Sequence, residues 1–269
     1  MAPPLPRCGL MQPPRVLAAV VLAVLVNLDG FADPVRVRYV EGASHGFLSL
    51  HTMDGAQIGI GEQLETRRGS TVTNRLTFRF NDGSLDDDTT VYSVAGPLRL
   101  ISDHRIQKGP SFPTPMDTTI DARSGRVSVT YTDDDGRTKQ ELEQMDLPPD
   151  VSNGMMAVSL RNLDPAVPAT LSYVAATPKP ILVKLHIVNS GLDRFSAAGR
   201  AVQATHYVIK IDLGGVKGLI APLVGKQPPD QHVWILTGPA PVFVASESNF
   251  FMGGPAWRMK TAAIDAPRR

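Results

Sequence analysis

Residues with the types and spacing to do chemistry fall in five places along the 269-residue chain. Gly42-Ala43-Ser44-His45-Gly46 has the form of a G-x-S-x-G nucleophile elbow. Such an elbow works by holding its serine on a strained strand-to-helix turn, with oxyanion donors at the helix N-terminus. Here a first short strand, Val35–Val40, is expected before the motif, and an alternating run, Phe47–Met53, follows it. That context predicts a hairpin loop with no helix to open. Asp133-Asp134-Asp135-Gly136 suggests a calcium loop, but the ligand positions that Gly136 would fix fall on Tyr131 and Leu142. Asp86-Asp87-Asp88 has no glycine at the needed offset, and its carboxylates are expected to be solvated on a hairpin. The six histidines form neither an HExxH motif nor an i, i+4 pair. His186, His206 and His232 fall on late strands, so two imidazoles would approach each other if those strands were neighbours. Isolated surface histidines are the plainer reading. Gly214–Lys226 is apolar and punctuated by glycine, without the spacing of a phosphate loop. It is read either as a turn packed on the core or as an apolar surface that meets a ligand, partner or lipid.

The elements that must position these residues are mostly strands. Leu76, Phe78 and Phe80 alternate with Arg75, Thr77 and Arg79, and Val127, Val129 and Tyr131 with Arg126, Ser128 and Thr130. The same period of two runs through Val183, Leu185 and Ile187 and through Tyr207, Ile209 and Ile211. It marks strands with one buried and one wetter face. Asp54-Gly55, Asp82-Gly83 and Asp135-Gly136 supply the positive φ of tight hairpins, and Asp121–Gly125 and Asn189-Ser190-Gly191 suit longer ones. Sequential hairpins predict a meander. One segment breaks the pattern. After Leu147-Pro148-Pro149-Asp150, residues Val151–Leu163 carry Met155, Met156, Ser159, Leu160 and Leu163 at helical spacing, with Asp150 or Ser152 as N-cap. Strand pattern resumes near Ala169. The predicted fold is mainly all-β: a large antiparallel meander of more than ten strands forming a curved sheet or open barrel, with one central α-helix against its concave face.

At the N-terminus, Arg7 and Arg15 stand before the apolar run Val16–Leu28, and Gly30-Phe31-Ala32 follows with small residues at the −3 and −1 positions. This predicts a signal peptide over residues 1–32, with cleavage before Asp33, and a single β-rich domain over 33–269 that subdivides, if at all, near the helix. The run is short of the about 20 residues that span a bilayer, and no later segment is apolar enough, so no transmembrane segment is expected in the mature chain. Cys8 departs with the leader, leaving neither disulfide nor thiolate. Removing Arg7, Arg15 and Asp29 from 27 basic and 26 acidic residues leaves 25 of each. A balanced chain has no general attraction for nucleic acid or anionic lipid. No catalytic residue, metal site or cofactor is assigned.

Met145–Gly154, Ser172–Pro180, His206-Tyr207 with Gly214–Asp230, and Phe251–Arg258 together resemble a broad group of uncharacterised exported bacterial proteins. More loosely, the layout is similar to β-rich envelope domains of unknown function that resemble periplasmic half-barrel carriers of lipids or lipoproteins. The resemblance brings no activity and no site residue. It implies a periplasmic or extracellular protein. The expected function is non-catalytic binding of a lipid or other apolar small molecule in the trough of the sheet, by Met155, Met156, Leu160, Leu219, Ile220 and Leu223. A structural or interaction protein with a filled core is the first alternative. A hydrolase using Ser44 or a histidine–carboxylate pair is the second. The oligomeric state and protein partners stay open.

Overall fold

The structure, a computed structural model, describes Met1 and residues 35–39, 42–214, 228–262 and 264–265. The expected signal peptide lies outside the described residues, and so do 215–227, with Leu219, Ile220 and Leu223 among them. Among the described residues, alternation is realised as fifteen strands in one open sheet. The first eight are β1 (Ser44–Thr52), β2 (Gln57–Arg68), β3 (Thr71–Phe80), β4 (Leu85–Ser93), β5 (Arg99–Lys108), β6 (Met116–Asp121), β7 (Arg126–Thr132) and β8 (Thr138–Gln144). A short helix, α1 (Met156–Asn162), separates them from β9 (Ala169–Ala175), β10 (Ile181–Ala197), β11 (Arg200–Asp212), β12 (Gln231–Leu236), β13 (Phe243–Asn249), β14 (Ala256–Thr261) and β15 (Ile264–Asp265).

The spatial order shows two meanders seamed together. Strands β1 to β8 pair in sequence, β10 to β14 pair in sequence, and β14 joins β1, with Leu50 opposite Met259 and Thr52 opposite Trp257. Both β9 and β15 pair with β10 at the far edge, and β8 is the other edge. Residues far apart along this path share one core. Ile120 and Val129 from the first meander, Leu185 and Ile209 from the second, and Val158 and Leu160 of α1 belong to a single apolar cluster. Strands so distant in the ladder meet only if the sheet curls, which is the accumulated effect of strand twist. A second cluster is aromatic. Phe78, Phe80, Phe112, Phe250 and Trp257 meet edge to face, with ring centroids 5.1–6.1 Å apart, an arrangement that adds to their area burial.

Several local expectations need correction. Of the expected strand Val35–Val40, the described residues 35–39 give one bridge, Arg36 to Pro97, in place of a strand. The helix spans Met156–Asn162, shorter than Val151–Leu163, and its N-cap is Met155 without a side-chain hydrogen bond. Asp150 and Ser152 are spent elsewhere: Ser172 Oγ donates to both Asp150 carboxylate oxygens at 3.0 Å, and Ser152 Oγ donates to the Ser172 carbonyl. Asn153 pairs through its amide with both the N–H and the C=O of Val174. The segment before the helix thus satisfies the outer edge of β9 as a strand would. Asn189-Ser190-Gly191 is a bulge within β10, and the hairpin turns eight residues later at Ala198-Gly199, both with positive φ.

Candidate functional site

The site begins with the parity of β4. Tyr92 is a core residue, so Asp86, Asp88 and Thr90, each two residues apart, face inward with it, and Asp87 faces out. Asp87 behaves as a surface carboxylate. It accepts from Arg75 Nε and Nη2 at 2.9 and 2.7 Å and from Thr77 Oγ1 at 2.8 Å, which hold its pKa down. Asp86 is only 4% exposed, so the Asp86-Asp87-Asp88 run is not a solvated patch. Strand β5 adds Asp103, Arg105 and Gln107, opposite Thr90, Asp88 and Asp86 respectively. Thr118 of β6 lies opposite Arg105 and completes the row.

Among these groups, one pair is self-sufficient. Arg105 donates from Nε and Nη2 to the two oxygens of Asp86, both at 2.8 Å. This fork geometry is the strongest form of ion pair. Burial opposes the guanidinium charge, but the Asp86 contact outweighs it and raises the Arg105 pKa. Asp88 and Asp103 are different. They are hydrogen-bonded to each other, and burial raises both pKa values, that of Asp88 far above the usual carboxylate range because the Asp103 charge adds to the effect. Thr90 Oγ1 donates to Asp103 at 2.8 Å and holds it back. The pair therefore holds protons to higher pH than isolated carboxyls do, in the manner of neighbouring carboxyls that cannot readily both ionise. Asp88 Oδ1 is buried without a hydrogen-bond partner. Further along the same wall, Glu65 is 2% exposed. Burial raises its pKa, and the Tyr92 hydroxyl donates to it at 2.9 Å.

Asp86, Asp88, Asp103, Arg105, Gln107 and Thr118 line a cavity of about 570 Å³ inside the curl of the sheet. Among the described residues, the charged groups in its lining come from β4 and β5: Asp86, Asp88, Asp103 and Arg105. The second meander contributes Val183, Leu185, Val233 and Met259, and the β13–β14 connection adds Phe250 and Phe251. Gly154 closes the polar side. Its φ is +63°, and a Cβ there would stand 1.7 Å from Thr90 Oγ1 and 2.6 Å from Asp103 Oδ1, so only glycine lets the main chain approach the carboxyl pair. An outer cleft of about 640 Å³ beside Pro97, Arg123 and Leu147–Val151 gathers no comparable group of buried charges.

The residues singled out from sequence separate clearly. Met156 lines the cavity. Met155 (3% exposed) and Leu160 (1% exposed) do not; they fill the core around α1. Ser44 is exposed and opens β1 directly, opposite Glu65, without a loop or helix after it. His206 Nε2 and His232 Nδ1 are 2.9 Å apart on the outer face, diagonal across β11 and β12, with His206 stacked on Trp234 at 4.6 Å. Asp193 accepts from Trp234 Nε1 at 2.7 Å and lies 3.5 Å from His206 Nδ1. His186 stays apart from them, beside Thr170 and Asp212. No group of three or more metal-ligating side chains occurs among the described residues.

No family model matches the chain, and no curated protein matches it. It is similar to a solved structure described as a β-barrel-like protein of domain of unknown function DUF1849 from Brucella abortus. Identity is 11% and the TM-score 0.47, over 86% of this chain and 100% of that one. No functional residue carries over from that likeness.

Proposed function

We propose that the protein is a non-catalytic component of the cell envelope that holds a lipid or other largely apolar molecule within its curled sheet. The observation that supports this reading is the internal cavity of about 570 Å³, bounded by members of both apolar clusters and by Met156. Pockets for small molecules run to roughly 300–1,000 Å³ and are lined mainly by apolar groups with a few placed polar ones. Export by residues 1–32 is part of the proposal, and N-terminal sequencing of secreted material should read from Asp33. Among the described residues no helix is long and apolar enough to cross a membrane.

Native mass spectrometry of protein purified from its own envelope tests the reading, and a co-purifying apolar mass is the expected result. Bare protein that also takes up no fluorescent single-chain lipid overturns it. Met156→Trp places a large ring in the cavity wall and is expected to block uptake with little change in Tm. Undiminished uptake by the folded variant would count against the cavity as the binding place. A structural protein with a filled core is the second reading, favoured by the packing of Met155 and Leu160.

A further inference from the structure

Away from the cavity, the outer face of β11 and β12 carries an arrangement that apolar-ligand binding leaves unused. His206 faces outward between the buried residues Thr205 and Tyr207, and His232 and Trp234 stand on the same side of β12. The ladder puts Trp234 opposite His206 and Val208 opposite His232, so the two imidazoles meet across the diagonal, His206 Nε2 lying 2.9 Å from His232 Nδ1. The surrounding contacts fix the His206 ring. It stacks on the Trp234 indole at 4.6 Å and 15°, and the indole is itself held by donating from Nε1 to Asp193 Oδ2 at 2.7 Å. The same carboxylate oxygen lies 3.5 Å from His206 Nδ1. Its charge favours the tautomer with the proton on Nδ1, which leaves a lone pair on Nε2. A carboxylate beside the far nitrogen is the usual outer support of a metal-binding histidine. The His206 side chain keeps 19% of its surface exposed, so an ion can reach it from solvent.

We propose that His206 Nε2 and His232 Nδ1 chelate a divalent late transition-metal ion, copper(II) ahead of nickel(II) or zinc, on the outer face of the sheet. Two nitrogens bound at about 2.0–2.1 Å are ~2.9 Å apart when the angle between them is a right angle, and ~3.3 Å apart at the tetrahedral angle. The observed 2.9 Å is the right-angle spacing. That angle belongs to the tetragonal geometry of copper(II) and nickel(II), and copper(II) also leads the affinity order for nitrogen ligands. Two imidazoles on one such ion have ring centroids roughly 5 Å apart, and those of His206 and His232 are at 5.1 Å. In the free protein the two nitrogens share a proton along the line between them. An ion arriving from solvent draws each ring into a tilt toward it, and the shared proton moves to His232 Nε2, so that both ligands bind as neutral imidazoles. Glu247, opposite His232 on β13, is engaged by Arg258 at 2.6 and 2.8 Å. Among the described residues no third ligating side chain joins the pair, and water fills the remaining positions.

Trp234 supplies its own reporter, because copper(II) held by the histidine stacked on it should quench its fluorescence. Copper(II) chloride titrated into the purified protein at about pH 7 is expected to quench tryptophan emission with one equivalent, and the electron paramagnetic resonance spectrum to show nitrogen hyperfine structure from two imidazoles. His206→Gln and His232→Gln should each weaken this binding at least tenfold, and either variant serves should the other not fold. His186→Gln, which alters a histidine apart from the pair, should leave it unchanged. Trp234→Phe should retain the bound copper by isothermal titration while losing most of the quenching. Parental copper affinity in a folded His206→Gln or His232→Gln protein overturns the proposal. So do undiminished quenching in Trp234→Phe, a loss of affinity in His186→Gln equal to that in the pair, and the lack of any one-equivalent site in the parent.

Discussion

Strands β4 and β10 aim alternate side chains at the same interior, and what they deliver there is opposite. From β4 come Asp86, Asp88, Thr90 and Tyr92; from β10 come Ile181, Val183, Leu185 and Ile187. Strand geometry decides only which residues face inward. Whether an inward residue must be apolar depends on what meets it. On β10 the partners are the helix and β9, and close packing of aliphatic groups is sufficient. Across β4 and β5 each inward acid has a partner, Arg105 for Asp86 and Thr90 with Asp88 for Asp103. The polar wall therefore stands as a hydrogen-bonded set, and the apolar wall as additive packing.

That contrast is open to attack by substitution. Arg105→Met strands Asp86 in the interior, and removing one partner of a buried ion pair costs about 3–5 kcal/mol. Urea unfolding should show that loss, and a variant as stable as the parent would mean that the polar wall does not act as a set. On the apolar side Leu160→Ala opens a cavity and should cost about 2–5 kcal/mol. The sharper distinction is that its loss should be insensitive to pH. The third substitution acts in the opposite direction. Asp88→Asn removes a proton-binding site that burial disfavours when charged, and at neutral pH should stabilise the apo protein by about 1–3 kcal/mol, a rise of several degrees in Tm. The sign follows from linkage. A carboxyl whose folded pKa lies above its unfolded value binds more protons when folded, so its contribution to stability falls as pH rises from the ordinary carboxylate range through the raised pKa. The stability gained by Asp88→Asn should accordingly grow with pH over that window and then level off. A gain that is flat with pH would show that Asp88 is not the group that titrates. The smallest effect belongs to Ser44→Ala, on an exposed strand start remote from the cavity lining: within about 0.5 kcal/mol in stability, with ligand uptake unchanged in a fluorescence titration.

The architecture was legible because alternation and turn chemistry agree. The Asp-Gly turns at 54, 82 and 135 all close hairpins, and the runs through Phe78, Val129, Val183 and Ile209 all face the interior. Asn189-Ser190-Gly191 misled because bulges and hairpins draw on the same residues, and only pairing with β11 tells them apart. The candidate site was less legible. Met156 carried a usable signal, helical spacing in a β chain, but the carboxyl pair did not. A rule that equates inward with apolar reads Asp86-Asp87-Asp88 as surface, although counting back in twos from Tyr92 places the first and third inside. Arg105 gave no signal at all, because its partner Asp86 becomes a neighbour only once β4 and β5 pair in their observed register.

The seam between β14 and β1 has a consequence for the order in which the chain can fold. Each meander grows by adding a neighbouring hairpin, a local event with little entropy to overcome, whereas Leu50 finds Met259 only after almost the whole chain has been gathered in. Strand β1 emerges from the ribosome long before β14. Until β14 arrives, the outer edge of β1 offers a row of unpaired N–H and C=O groups beside the buried side chains of Leu48 and Leu50. The interval during which the chain is prone to aggregate is thus set by the time needed to deliver β14. In pulsed hydrogen exchange, amides of β3–β7 should gain protection before those that β1 donates to β14.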